Sequence, residues 1–320
     1  MQFAEVFTNR RVLITGALGF IGSNLARRLV EFGADLLLVD SLIPEYGGNL
    51  FNIAGIEHRL RFNISDVRDS HSMGYLVQGQ DYLFNLAGQT SHLDSMNDPN
   101  TDLEINCRAQ LSILEACRKY NPSVKIVYAS TRQIYGKPDY LPVDVNGINK
   151  MAGEWYHILY NHVYGIRACA LRLTNTYGPR MRVIDARQTF LGEWIRLIVQ
   201  GKPFEVWGGS QQRDFTFVDD AVDAFLLAAA NEEANGEIFN LGCKSPINLY
   251  ELAELLIEIN GGGGYLRCEF PAERQKIDIG DYYADFSRIQ AVLGWEPQID
   301  LRHGLAKTIA YYREHLPKYL

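Results

Sequence analysis

Cysteine is scarce in this chain, and what there is does not pair up. The five cysteines (Cys107, Cys117, Cys169, Cys243 and Cys268) are odd in number, scattered, and include no CxxC. That argues against a disulfide framework or a zinc site and for a reducing compartment, so no metal is expected. Long apolar runs are missing too: none is long enough to span a bilayer. The opening MQFAEVFTNRR has no apolar segment resembling a signal peptide, so a cytoplasmic protein without membrane contact is expected. Positive charge is in deficit, with 31 Lys and Arg against 38 Asp and Glu and a net charge of −7. A nucleic-acid backbone rewards the opposite sign, so nucleic acid is not an expected partner. Small anionic ligands remain open, because they need only a few well-placed arginines. There is no repeat at a fixed period. The run Gly261 to Gly264 follows a helical pattern and precedes a strand, the wrong polarity for a phosphate loop, and reads as a connector.

What is present is an ordinary globular composition, 47% hydrophobic and 22% charged, over 320 residues. That length suits one large nucleotide-binding domain with a smaller appendage. Arg11 to Thr15 reads as a buried strand and ends in Gly16-Ala17-Leu18-Gly19-Phe20-Ile21-Gly22. A helical pattern follows, with Ile21, Leu25, Leu29 and Phe32 on one face and Gly33 as its stop. Leu36 to Val39 is a second buried strand, with Asp40 at its end, eighteen residues after Gly22. Strand, glycine turn, helix, strand and acid together make a dinucleotide-binding unit. Gly16 permits the turn, Gly19 admits a pyrophosphate to the backbone, and Gly22 lets the helix pack on the strand. The helix N-terminus, at Phe20 and Ile21, supplies partial positive charge. Asp40 accepts from ribose hydroxyls and repels a 2′-phosphate, so the expected cofactor is NAD.

The GxxGxxG spacing resembles that of the extended short-chain dehydrogenase/reductase family, whose members act on nucleotide sugars. The resemblance runs from Val12 to about Pro297. It implies an α/β, Rossmann-like, doubly wound parallel sheet with a smaller α/β substrate-binding lobe. We expect an NAD-binding domain at 1–177 and a nucleotide-sugar lobe at 178–320, some of whose elements return to the first. Further strands are read at Arg59 to Ile64, Tyr82 to Gly88 and Val124 to Ala129, with a long helix from Pro99 to Tyr120. By resemblance, Asp66 and Val67 form the adenine pocket, and Leu86, Ala87 and Gly88 pass beneath the nicotinamide ribose.

Tyr128-Ala129-Ser130-Thr131-Arg132-Gln133-Ile134-Tyr135-Gly136 resembles the family's strand-end motif, which makes Thr131 the hydroxyl that bonds the reacting sugar oxygen. The family next has YxxxK on a helix, where Lys and the nicotinamide charge lower the phenol's pKa. Here the segment is Asn146-Gly147-Ile148-Asn149-Lys150: the Lys is present and the Tyr is Asn146. No other Lys has a Tyr four residues before it. Only nine residues separate Gly136 from Asn146, about half the spacing the resemblance implies, with Pro138 to Val145 the altered stretch. A carboxamide cannot serve as general base. Four readings stand: Tyr177 reaches in, Lys150 acts itself, Thr131 relays a proton through water to Lys150, or the chain binds without turnover.

On the substrate side, Asn175 in Asn175-Thr176-Tyr177-Gly178-Pro179-Arg180 resembles a pyrophosphate-contacting turn. Arg213, opening Arg213-Asp214-Phe215-Thr216-Phe217-Val218-Asp219-Asp220, and Arg274 resemble the two phosphate-binding arginines. Thr90 and His92 resemble the loop beside the sugar ring, although His92 reads equally as the start of a helix. Arg132 either meets a carboxylate on the sugar or pairs with a loop carboxylate of the chain. Family dehydratases follow the Thr with an Asp-Glu pair, and decarboxylases have Glu where Gln133 stands, so both readings weaken. The expected activity is epimerisation of a nucleotide-diphospho-sugar at C4 through a 4-keto intermediate. A 4,6-dehydratase, a uronate decarboxylase or a silent binder are the alternatives. By resemblance the partner copy is a second chain, met through helices Pro99 to Tyr120 and Asn146 to Tyr164. Trp155, Tyr156, Leu159 and Tyr160 supply the apolar face of that homodimer.

Overall fold

The computed structural model describes residues 3–136, 142–186 and 189–320. Of the altered stretch, Pro138 to Leu141 lies outside the described residues. The first strand alternates between two apolar layers: Val12 and Ile14 enter one buried cluster and Leu13 the other. A strand apolar on both faces belongs inside a parallel sheet covered by helices. Seven strands form that sheet among the described residues. They are β1 (Arg11–Thr15), β2 (Asp35–Asp40), β3 (Arg61–Ile64), β4 (Tyr82–Asn85), β5 (Lys125–Thr131), β6 (Arg167–Leu173) and β7 (Ile238–Asn240). Their order is β7-β6-β5-β4-β1-β2-β3, and every pairing is parallel. The winding reverses between β1 and β4, which opens a crevice at their carboxyl ends where such sheets bind ligands.

Helix α1 (Phe20–Glu31) buries Leu25 and Leu29, and its C-cap residue Phe32 precedes Gly33 at φ +75°, as the pattern predicts. The third strand starts at Arg61 rather than Arg59, because Glu57–Arg59 closes into a 3-10 turn first. Helix α2 (His92–Asn97) leads to the helical stretch expected at Pro99 to Tyr120. That stretch is α3 (Pro99–Leu103), a π-helical turn at Glu104–Arg108, then α4 (Ala109–Tyr120). Such a turn inserts one residue and rotates the side chains before it relative to those after it. Helix α5 (Val145–Tyr164) is capped by Asp144, whose carboxylate accepts from the Gly147 N–H at 2.7 Å.

After Gly178 the chain alternates between two places. Phe204–Trp207 pairs with Tyr265–Cys268, and Phe215–Phe217 with Asn175–Tyr177, in small sheets beside the crevice. Helix α6 (Val218–Ala230) and β7 return to the main sheet, α6 meeting α1 through the Arg28–Asp223 ion pair at 3.0 Å. Gly261 to Gly264 joins the helix Leu249–Asn260 to the strand Tyr265–Cys268, as a connector should.

Candidate active site

One cleft gathers most of the residues singled out in the sequence. It is lined by the glycine turn, Asp40, Val67, Leu86 to Gly88, Thr90, His92, Thr131, Arg132, Asn146, Lys150 and Asn175. At its cofactor end Gly16 has φ +65°, and a Cβ on Gly22 would come within 2.3 Å of the Gly16 carbonyl. No side chain caps the N-terminus of α1, so its first N–H groups face the cleft. Asp40 accepts from Leu18 N–H and Leu42 N–H, both at 2.9 Å. Burial raises its pKa, against the pull of those backbone donors. Asp66 does not line this cleft; Arg68 grips its carboxylate in a bidentate pair that lowers its pKa.

The catalytic end is arranged around the start of α5. Thr131 ends β5, and its hydroxyl accepts from Gln133 N–H at 3.2 Å. Lys150 is buried, donates to the Ala129 carbonyl at 3.1 Å, and has its pKa pulled down to about 8 by burial. A side chain at Gly88 would collide with the Lys150 ammonium, only 2.7 Å from where its Cβ would stand. Asn146 lines the cleft, but its amide is turned to partners other than a reactant. Its amide donates to the Gln89 carbonyl at 2.8 Å and to Asp102 at 3.0 Å. Asp102 is fully buried and also receives Asn106 at 3.0 Å and Asn149 at 2.8 Å. The position of the expected tyrosine is thus a closed knot of amides around one carboxyl.

Tyr177 is a correction. It is buried among Phe215, Phe217 and the last long helix, and its phenol points to the Leu301 carbonyl at 3.4 Å rather than into the cleft. Burial drives its pKa up. Edge-on contacts with Phe215 at 6.2 Å and Phe217 at 5.5 Å hold its ring in the core.

A second, wider cavity adjoins the first and shares His92, Arg132 and Asn175 with it. Arg213 and Arg274 both line it. Arg274 lies over the Trp207 ring at 4.8 Å. Arg213 is already engaged, with Asp278 at 2.7 Å and the carbonyls of Gln212 and Gly280. Arg132 donates to Asn175 Oδ1 at 2.9 Å, while its buried Nη1 has no partner. Burial, then the neighbouring Arg213, pulls its pKa down to about 10. Among the described residues no loop carboxylate forms an ion pair with it.

The sequence from residue 12 to 242 matches the family described as NAD dependent epimerase/dehydratase. The chain belongs to that family. It is 30% identical over 314 residues to the UDP-glucose 4-epimerase of Mycolicibacterium smegmatis, covering 95% of this chain and 98% of that one. It is 29% identical over 331 residues to UDP-glucuronic acid decarboxylase 1 of Xenopus tropicalis, covering 99% of this chain and 75% of the other. Among solved structures, UDP-glucose 4-epimerase of Thermotoga maritima with UDP-glucose superposes with a TM-score of 0.86 at 29% identity, covering 96% and 99% of the two chains.

As a member of this family the chain uses NAD, and its own residues fit that cofactor. The uncapped start of α1 beside Gly19 suits a pyrophosphate. Asp40 keeps carboxylate lone pairs beyond the two its backbone donors use. The family resemblance did not reveal Asp144, Gln133 and Asp102 as members of the site. Gln133 donates to Asp144 Oδ2 at 2.9 Å, and the same oxygen is 2.9 Å from His92 Nδ1. The signals available were the Asp two residues before Asn146 and the Asp102–Asn106 pair at i, i+4. Nor was Glu154 placed: it is fully buried and pairs with Arg172 at 2.6 Å and Ser130 at 2.7 Å, bracing β5 and β6. Among the described residues no group of three potential ligands forms a metal site, and no helix is long and apolar enough to cross a membrane.

Proposed function

We propose that this chain epimerises a nucleotide-diphospho-sugar at C4 by reversible oxidation to a 4-keto-sugar. The observation that carries this reading is what surrounds Thr131. The two residues after it are a guanidinium and a carboxamide, and Gln133 is turned away to Asp144 and the Ile277 carbonyl. Neither can protonate a leaving hydroxyl, so elimination of water lacks its acid, whereas epimerisation needs none. The NAD that the start of α1 and Asp40 would hold would supply the hydride acceptor and donor for the sugar carbon.

The chain's own residues then have four tasks. Thr131 orients the reacting oxygen from the end of a rigid strand. Lys150 faces the same end of the cleft and favours proton loss from that oxygen by stabilising the negative charge left on it. Arg274 and Asn175 take the diphosphate end, and Arg213 braces the Asp278 loop around it. Arg132, with its unpaired Nη1, receives an anionic oxygen on the sugar, which favours a uronic acid. The half-exposed Trp155 and Leu159 on α5 form the centre of a homodimer face; Tyr160 lies buried beneath, bonded to Glu115 at 2.7 Å. All five cysteines are unpaired, consistent with work in the cytoplasm.

The test is chromatography with mass spectrometry after incubation with a panel of uridine- and other nucleotide-linked sugars, neutral and uronic. An isomer of unchanged mass supports the reading. Loss of 18 or 44 mass units would replace it with dehydration or decarboxylation, and an unchanged panel would leave a binding protein.

A further inference from the structure

Reversible oxidation of a sugar hydroxyl requires a group that removes its proton and gives it back, and position 146 does not provide one. We propose that His92, held by the carboxylate of Asp144, is that proton-transferring group. The proposal rests on the epimerase reading above.

Four observations carry it. First, His92 is the only imidazole lining the cleft among the described residues, and it lines the adjoining cavity as well. It therefore stands where cofactor space and substrate space meet. Second, its Nδ1 is 2.9 Å from Oδ2 of Asp144, whose side chain is wholly buried while the imidazole is 34% exposed. The contact is an ion-pair separation that falls short of a full hydrogen bond. A base oriented by a buried acid, with its other nitrogen turned to the reactant, is the arrangement acid–base catalysis reuses across folds.

Third, Asp144 is itself fixed. It caps α5 through Gly147 N–H at 2.7 Å and receives Gln133 Nε2 at 2.9 Å. Gln133 follows Thr131 by two residues, so the group that orients the sugar oxygen and the group that orients the imidazole share one turn. Fourth, α2 is tied to the start of α5. The Asn146 backbone N–H donates to Ser95 Oγ at 3.3 Å, and Ser95 Oγ donates to the His92 carbonyl at 2.7 Å. The missing phenol and the imidazole thus belong to one packed corner.

The competing groups are less well placed. Lys150 donates to the Ala129 carbonyl and, with its pKa at about 8, holds its proton at neutral pH, which suits it to stabilise the alkoxide rather than to accept the proton. Tyr46, the one tyrosine lining the cleft among the described residues, comes from the loop after β2 and has its phenol pushed up by burial. In the oxidation the O–H bond breaks and its proton goes to His92 Nε2, the C–H electron pair leaves as hydride to NAD, and C4=O forms. The return half gives the same proton back from the imidazolium to the alkoxide oxygen. The charged groups around His92 are Asp94 on its own helix, Asp102 on α3, Asp144 and Lys150 from the start of α5, and Arg132 and Asp278 across the cavity.

The test uses the NAD-loaded chain, the sugar nucleotide converted fastest in the panel, and UDP as a binding probe. His92→Gln should lose about 100-fold or more in turnover, with NAD content and UDP affinity unchanged. The acid limb of the turnover–pH profile should vanish with it. Asp144→Ser keeps the helix cap and removes the carboxylate; it should move the acid limb to lower pH. It should also move the His92 ring resonances in NMR of histidine-labelled protein at fixed pH, a readout independent of turnover. A His92→Gln variant with the native rate and limb, a limb lost in Tyr46→Phe instead, or His92 ring resonances indifferent to Asp144→Ser would each overturn the proposal. A wild-type chain that converts no sugar in the panel overturns the epimerase reading and the dyad with it. An active wild type with an equally active His92→Gln overturns the dyad alone.

Discussion

The side-chain nitrogen of Asn146 lies 3.0 Å from the buried carboxyl of Asp102, which Asn106 and Asn149 also hold. Restoring the tyrosine at this position would not restore a catalyst. In Asn146→Tyr a bulky ring enters a site that is 2% exposed, and Asp102 loses a donor. We expect a stability loss of about 2–4 kcal/mol in urea unfolding and no gain in turnover. A gain would mark Asn146 as damage to an older phenol-based site.

Lys150 makes stability depend on pH in a defined direction. Its pKa is lowered from 10.5 to about 8 by burial. Between those values the unfolded chain holds a proton that the folded chain has released, so stability from this group rises with pH. Below about pH 8 the burial of its charge costs on the order of 3 kcal/mol. In cofactor-free protein, Lys150→Met should therefore be the more stable chain at pH 7. Its advantage should shrink by pH 9.5 in paired urea titrations, while its turnover is lost.

Asp40 should decide the cofactor. Its two oxygens accept backbone N–H groups from Leu18 and Leu42. Asp40→Asn would set an amide N–H against one of those donors and withdraw the negative charge. Calorimetry should show NAD binding weakened about tenfold or more, with discrimination against NADP reduced.

Arg132 should sort substrates by charge. If its free Nη1 receives a sugar carboxylate, Arg132→Leu should lower kcat/KM for uronic sugar nucleotides by about 100-fold and for neutral ones much less. Equal losses would mean that the guanidinium only supports Asn175, to which it donates at 2.9 Å.

The glycine turn allows a graded test. A Cβ at Gly22 would meet backbone at 2.3 Å, whereas one at Gly19 would meet only the Gly16 carbonyl, at 3.2 Å. Gly22→Ala should unfold the turn and lose NAD together with several degrees of Tm. Gly19→Ala should keep the fold and weaken NAD alone.

The strand–turn–helix–acid unit was legible in the sequence because each part is local: β-branched run, glycine spacing, helical stripe, terminal Asp. The doubly wound, parallel character followed from alternation of strands and helices, whereas β6 was not read from the sequence. The catalytic corner was less legible because it is assembled from distance. Asp102, Asn146 and Gln89 meet only after α3 and α5 pack, and the π-helical turn at Glu104–Arg108 shifts the side-chain phase there. Tyr177 misled because its motif was readable while the side its phenol faces was not. Arg213 was readable as an arginine beside a substrate, but its partner Asp278, 65 residues away, was not.

Strand β7 comes late in the chain, at Ile238–Asn240, yet completes the sheet begun at Arg11. During synthesis β6 must wait as a bare edge while some sixty residues of lobe and α6 emerge, and a bare apolar edge invites pairing with other chains. A gene fragment ending after Tyr177 would leave that edge open for good. Excising the cofactor half should therefore give aggregates, and circular permutants that keep β6 and β7 on one fragment should be the ones that refold.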